Sequence, residues 1–106
     1  MSLAWRLKPI EVVASPDSLR MEEGGTARFM CSAESETTST ITWSKGSDPL
    51  PSYASSMGGI LTISGVQKEH SGTYTCTGSN QYSADRVSVM LQVGGKNMFI
   101  IRYRSL

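Results

Sequence analysis

The chain has 106 residues, of which 39% are hydrophobic and 18% charged, and this fits one folded domain rather than a disordered chain. No apolar run approaches the roughly 18 residues that a transmembrane helix requires. Ten basic and nine acidic residues give a net charge of +1, so no global field attracts nucleic acid or a membrane.

The charges are unevenly distributed along the chain. Residues 1–9 and 94–106 carry only basic charges, and all nine acidic residues lie between them. We therefore predict a domain over residues 10–93, flanked by an N-terminal linker or cloning remnant over 1–9 and a C-terminal tail over 94–106. Residues 1–9 are too short for a signal peptide, so a secreted protein would carry its signal in a longer parent chain.

In the first half of the chain, apolar residues recur at every second position in short runs separated by Gly, Pro and Ser. This is the pattern of antiparallel strands. The first run, residues 10–14, ends before Pro16, which we expect at a switch between sheet edges. Polar residues 35–39 predict a loop, and residues 45–51 predict a turn region. The inward-facing side chains predicted here are Leu19, Met21, Ala27, Phe29, Cys31, Ala33, Ile41 and Trp43.

The alternation continues in the second half. Residues 52–59 are small and predict at most a short strand, and residues 78–83 predict a hairpin loop. No window has helical spacing. We therefore predict an all-β fold of two packed antiparallel sheets. The inward-facing side chains predicted here are Leu61, Ile63, Val66, Tyr74, Cys76, Val87, Val89, Leu91 and Val93.

Cys31 and Cys76 are the only cysteines, and both fall on the inward face of predicted strands. Their separation is not that of zinc ligands, and His70 is the only histidine, so we expect no metal site. The placement favours a buried cross-sheet bridge over a reactive thiol. Closing a loop of this length contributes about 4 kcal/mol in the chain-entropy model.

The sequence offers no recognisable catalytic constellation. It lacks a nucleophile beside a base, a pair of carboxylates and a metal-ligand cluster. Its glycine pairs do not have the spacing of a phosphate-binding loop. We therefore predict that the chain is not an enzyme and uses no cofactor.

The spacing around the cysteines resembles the immunoglobulin fold. Trp43 follows Cys31 by twelve residues, and a Ser-Gly-Thr-Tyr-Thr-Cys string ends at Cys76. The resemblance implies that Trp43 packs on the bridge between the two cysteines and that Tyr74 forms a tyrosine corner. It places Leu61 in the segment before that corner. It covers residues 10–93 and implies an immunoglobulin-like Greek-key β-sandwich of the intermediate set.

Two further strings resemble the immunoglobulin modules of perlecan, the heparan sulfate proteoglycan of basement membranes. They are Gly59-Ile60-Leu61-Thr62-Ile63 and Cys76-Thr77-Gly78-Ser79-Asn80. The resemblance implies a secreted matrix module that binds proteins or spaces neighbouring modules, with nidogen, collagen IV and fibronectin as candidate partners. Two alternatives stay open: an intracellular structural module of a muscle or cytoskeletal filament protein, and a domain of a cell-surface adhesion receptor.

The chain departs from the family pattern at His70. The family usually has an aspartate there, paired with a basic residue at the end of the short middle strand. No basic residue lies between Pro49 and Val66, so both members of that pair are absent. We therefore expect His70 to be solvated, in a more mobile corner.

The remaining function is binding, and one surface is a candidate. If the strands that contain Trp43, Tyr74 and Val89 form one sheet, its outer face carries no charge, as is typical of interface centres. We predict that this face binds a protein, with Lys45 and Arg86 at its rim, although threonine also simply favours strands. The face comprises Thr40, Thr42, Ser44, Thr73, Thr75, Thr77, Ser88, Met90 and Gln92.

The predicted hairpin tip is a second candidate. It presents Gln81 and Tyr82. An exposed tyrosine on a loop is a good interface anchor, so we predict that the tip extends the binding surface.

Overall fold

Nine strands and one 3-10 turn make up the secondary structure of residues 8–94, the part of the chain that a computed structural model describes. The predicted segments 1–9 and 94–106 lie almost wholly outside these residues. The strands are β1 (Glu11–Ser15), β2 (Ser18–Glu22), β3 (Thr26–Glu34), β4 (Thr40–Lys45), β5 (Asp48–Pro49), β6 (Ala54–Met57), β7 (Ile60–Ser64), β8 (Gly72–Ser79) and β9 (Ala84–Gly94), with the 3-10 turn at Lys68–His70.

The strands form two sheets, which confirms the predicted all-β fold. The four-stranded sheet has the order β1-β3-β7-β6, and the five-stranded sheet has the order β2-β9-β8-β4-β5. All neighbouring strands are antiparallel except β2 and β9, which are parallel. The intermediate-set subtype stays a prediction.

The chain changes sheets at Pro16, as predicted. β1 pairs with β3, whereas β2 pairs with β9 in the other sheet. Proline has no N–H to donate to a ladder, so strand pairing stops there. The Ser15–Pro16 peptide bond is cis. The switch therefore gives each sheet an edge strand from a single stretch of chain.

A disulfide between Cys31 on β3 and Cys76 on β8 joins the two sheets. Trp43, Tyr74 and Leu61 are all buried in the core, and Trp43 lies directly opposite Cys76 in the strand register. The Trp43 indole Nε1 donates a hydrogen bond to the carbonyl oxygen of Gly59 at 3.0 Å, which satisfies its one polar group. The rest of the core is Ile10, Val12, Ala27, Phe29, Ile63, Val66, Val89, Leu91 and Val93.

Gly78 was predicted in a loop but lies inside a strand. β8 continues to Ser79, so the loop is only residues 80–83. A Cβ atom at Gly78 would lie 2.6 Å from Cγ2 of Val12. β1 can therefore pack this closely over β8 only because Gly78 has no side chain.

The expectation that His70 is solvated is wrong. His70 is only 8% exposed, and its imidazole stacks on the Tyr53 ring with 3.9 Å between centroids and 17° between planes. Its Nδ1 accepts a hydrogen bond from the backbone N–H of Gln67 at 3.0 Å. Tyr53 lies in a segment of otherwise small residues, and the local sequence pattern does not indicate that it stacks on the imidazole.

Tyr74 completes this corner and ties it to the core. Its hydroxyl donates to the carbonyl oxygen of His70 and lies 2.9 Å from the hydroxyl of Tyr53. The Lys45 Nζ donates to the carbonyl oxygen of Glu69 at 3.3 Å and lies 5.6 Å from both tyrosine ring centroids. Stacking, hydrogen bonds and a nearby cation thus hold the corner where the family pattern uses an ion pair.

Burial raises the pKa of the Tyr74 hydroxyl above its ordinary value, and the hydrogen bond and charge of Tyr53 raise it further. The folded state therefore keeps the Tyr74 proton at a pH where the unfolded chain, with a tyrosine pKa of about 10, releases it. We predict that the free energy of unfolding falls as the pH rises through about 10 and beyond, because the unfolded state then binds fewer protons.

Urea denaturation between pH 7 and pH 11 measures this effect. Tyr74→Phe loses about 1–3 kcal/mol at neutral pH, because the His70 carbonyl and the Tyr53 hydroxyl lose their partner. It should show a shallower decline at high pH, since the titrating group is gone. Tyr82→Phe, at an exposed position, is the control and should follow the parent chain. Equal slopes for all three proteins would contradict the prediction.

Candidate functional site

The predicted binding residues of β4, β8 and β9 lie side by side on the outer surface of the five-stranded sheet. This arrangement follows from strand register, since directly paired residues share a face. We name this surface the threonine face. Its cross-strand pairs are Thr42–Thr77, Ser44–Thr75, Thr75–Ser88 and Thr73–Met90.

The residues of the threonine face differ in accessibility. Thr42 is exposed, Thr77 is half-buried, and Met90 is 53% exposed. Thr75 was predicted as an accessible member, but it is only 8% exposed, and its hydroxyl lies 3.1 Å from that of Ser88. It lies on β8, where side chains from both neighbouring strands cover it. Thr75 therefore supports the face and cannot offer its hydroxyl to a partner.

The structure places the two predicted rim charges differently. Arg86 lies opposite Thr77 on β8, where it borders the uncharged centre of the face. The edge strand β2, which pairs with β9, places Arg20 beside Gln92. Lys45 does not lie at the rim, because its amine bonds to the Glu69 carbonyl at the tyrosine corner. The centre of the face is thus uncharged, with Arg86 on β9 and both Arg20 and Glu22 on the neighbouring β2.

Asn80 organises the hairpin tip, defined here as residues 80–83. Its side-chain oxygen Oδ1 accepts hydrogen bonds from the backbone N–H groups of Tyr82 at 2.8 Å and Ser83 at 2.7 Å. Its Nδ2 donates to the hydroxyl of Ser35 in the loop between β3 and β4, at 2.9 Å. Asparagine side chains stabilise tight turns in this way. Gln81 and Tyr82 are exposed on a base that one side chain holds together.

Two further side chains, Ser83 in the tip and Asp85 near the start of β9, bind the backbone of β1 and of the residue before it. The Ser83 hydroxyl oxygen accepts a hydrogen bond from the backbone N–H of Ile10 at 2.9 Å, and Asp85 Oδ2 accepts one from Val12 at 3.0 Å. Sequence reasoning missed both roles, because they depend on the approach of strands far apart in the chain. The asparagine at the start of the loop was the only available signal.

The threonine face and the hairpin tip are the two surfaces to which the structure assigns the predicted binding residues. Within residues 8–94, no group of three or more His, Cys, Asp or Glu residues is placed to hold a metal ion. No helix in the same range has the length and apolar character to cross a membrane. The Tyr74 hydroxyl, whose pKa is raised by burial, is hydrogen-bonded inside the corner.

Comparison with known proteins identifies proteins whose sequences are similar to this chain. A sequence profile described as "Immunoglobulin domain" matches residues 8–80. The chain is 39% identical over 89 residues to the basement membrane-specific heparan sulfate proteoglycan core protein of Mus musculus, covering 81% of this chain and 2% of that protein. It is 36% identical over 90 residues to smooth-muscle myosin light chain kinase of Gallus gallus, covering 78% of this chain and 5% of the kinase.

Among solved structures, extracellular domains 3–5 of Drosophila OTK match with a TM-score of 0.71 and 28% identity, covering 78% of this chain and 31% of that one. The resemblances to the immunoglobulin fold and to the immunoglobulin modules of perlecan, both predicted from the sequence, agree with these matches. The chain spans only a few per cent of the length of either of these two sequence relatives.

We predict that Asn80→Ala loosens the tip, because the amides of Tyr82 and Ser83 lose their acceptor. The expected loss is about 1–3 kcal/mol, and amide hydrogen exchange at these two positions should accelerate. Gln81→Ala is the matched control, since Gln81 is exposed in the same loop. Unchanged exchange in Asn80→Ala would show that the loop holds its shape without this side chain.

Proposed function

The chain belongs to the immunoglobulin domain family, and from that premise we propose that it is a non-enzymatic, protein-binding module of the extracellular matrix. The observation that carries the proposal is the threonine face, whose uncharged centre is flanked by exposed Met90 and Arg86. In the proposal, this face and Tyr82 at the tip contact one protein partner.

The composition of the face suits protein binding. A partner that covers its centre buries no unpaired charge, so the desolvation penalty is small. The hydroxyls of Thr75 and Ser88 already lie within hydrogen-bond distance of each other. Met90 offers an adaptable apolar contact, and Tyr82 offers an aromatic anchor on a fixed base. Two arginines and Glu22 border the centre, and these charges can set the orientation of a partner.

Sequence likeness supports the matrix assignment. The relative from the basement membrane is the more similar of the two proteins described above, at 39% identity. A buried cross-sheet disulfide persists in the oxidising extracellular environment. We propose nidogen, collagen IV or fibronectin as the partner. A module that binds none of them would act as a spacer between neighbouring modules.

An intracellular structural module is the second candidate. The 36% identity to myosin light chain kinase favours it. A cell-surface adhesion domain is a third, and the extracellular domains of OTK share its fold. The cytosolic candidate differs chemically from the other two, because the cytosol keeps thiols reduced.

The proposal predicts saturable binding of the full 106-residue chain to at least one of nidogen, collagen IV and fibronectin, measured by titration calorimetry or surface plasmon resonance. Tyr82→Ala and Met90→Lys should each weaken that binding about tenfold or more, because both side chains lie in the proposed contact. Ser64→Lys introduces the same charge at an exposed position of the other sheet, outside both proposed surfaces, and is the matched control.

The outcomes separate the candidates. Equal loss with Ser64→Lys would show that the threonine face is not the contact. No binding of a folded, oxidised chain to any of the three proteins would contradict the proposed partners and favour the spacer role. Circular dichroism of each variant confirms that it folds.

A further inference from the structure

The outer surface of the four-stranded sheet carries an apolar patch. Val13 is 61% exposed, Met30 60%, Ile60 37% and Met57 83%. Register joins three of them in one row across the sheet, since Met30 pairs with Ile60 and Ile60 pairs with Met57. Val13 pairs with Ser32, two residues along β3 from Met30 on the same face. The four side chains are thus neighbours. We name the surface that they form the methionine face.

The methionine face has a ridge between two hollows. One shallow depression lies along β1 and β3 and is lined by Val13, Ala14, Ser15, Met30, Cys31 and Ser32. The other lies on the opposite side, towards β6, and is lined by Arg28, Ser55, Met57, Ile60 and Thr62. Met30 and Ile60 separate the two. A flexible apolar ridge beside hollows of this kind can fit a surface of the same shape.

Charges of opposite sign lie at the two ends of this face. The outward residues of β3 include Arg28, then Met30 and Ser32, then Glu34. Glu34 pairs directly with Glu11 of β1, so that end carries two carboxylates. With a rise of roughly 3.4 Å per residue, Arg28 and Glu34 are about 20 Å apart along the strand.

We propose that the methionine face is the interface between two copies of this chain, stacked face to face about a twofold axis that runs across the strands. Such an interface is isologous, so each contact occurs twice. With the axis at the level of Cys31, midway between Arg28 and Glu34, the β3 strands run antiparallel. Arg28 of each copy then faces Glu34 of the other.

The same arrangement matches the shapes. Met30 of one copy lies at the level of Ser32 of the other, above the hollow between β1 and β3. The two Met30 side chains lie side by side, about 7 Å apart along the strands. Each copy thus places its Met30 side chain over the hollow between β1 and β3 of the other. The face is small, so we expect a weak dimer rather than an obligate one.

A second copy is favoured over an unrelated partner because this face carries both halves of a complementary charge pattern. Arg28 lies at one end, and Glu11 and Glu34 lie at the other. The inference goes beyond the proposed function, because it concerns the other sheet and requires no second protein. Both surfaces can be tested independently.

Sedimentation velocity of the full chain, in a concentration series reaching about 1 mM, tests the proposal. We expect the mass to rise from 11.5 kDa toward twice that value. Arg28→Glu and Glu34→Arg should each weaken self-association about tenfold or more, because like charges then face each other. Met90→Lys, on the other sheet, is the control and should have no effect.

Mixing the two charge variants gives the sharpest result. In a mixed dimer, the introduced Glu at position 28 faces the introduced Arg at position 34, and the native Arg28 and Glu34 face each other across the second contact. Association should therefore return in the mixture. A chain that stays monomeric throughout the series, or a mixture that fails to associate when the parent chain does, overturns the proposal.

Methyl NMR locates the contact. The Met30 and Met57 methyl resonances should shift with protein concentration, whereas that of Met90 should not. Concentration-dependent shifts confined to Met90 would place self-association on the other sheet and overturn the proposal. Because all these variants change exposed side chains, their melting temperatures should stay close to that of the parent chain.

Discussion

The bridge between Cys31 and Cys76 is the constraint on which the other features depend. It joins the middle strands of opposite sheets across the core, with buried Trp43 beside it. In a strand the side chains alternate between two faces, so fixing which residues point inward also fixes which point outward. The outer surfaces of both sheets are therefore consequences of how the core is closed.

Those two outer surfaces differ in chemistry. The threonine face has an uncharged centre with charged side chains on one side, and the methionine face has apolar side chains between charges of opposite sign. The first suits a different protein, and the second suits another copy of the chain. Because they lie on opposite sides of the sandwich, both can be occupied together. A dimer would present two threonine faces, so a multivalent partner would be held more tightly than by one copy.

The sequence was sufficient to predict the features that depend on residues close together in the chain. The alternation of β3, the sheet switch at Pro16 and the inward placement of Trp43 all follow from neighbouring residues. The sequence could not show that His70 stacks on Tyr53, because that contact joins separate elements. Burial of Thr75 and exposure of Met57 likewise depend on whether neighbouring strands cover them. The alternation of side chains along a strand does not by itself determine how exposed each side chain is.

The redox state of Cys31 and Cys76 in cells or tissue that make the protein is the most direct test of the central claim, an oxidised module of the extracellular matrix. Free thiols are alkylated during lysis, and peptides containing each cysteine are quantified by mass spectrometry. A matrix module predicts that both cysteines are recovered in one disulfide-linked peptide pair. Recovery of both as alkylated thiols would contradict the claim and assign the chain to a reducing compartment.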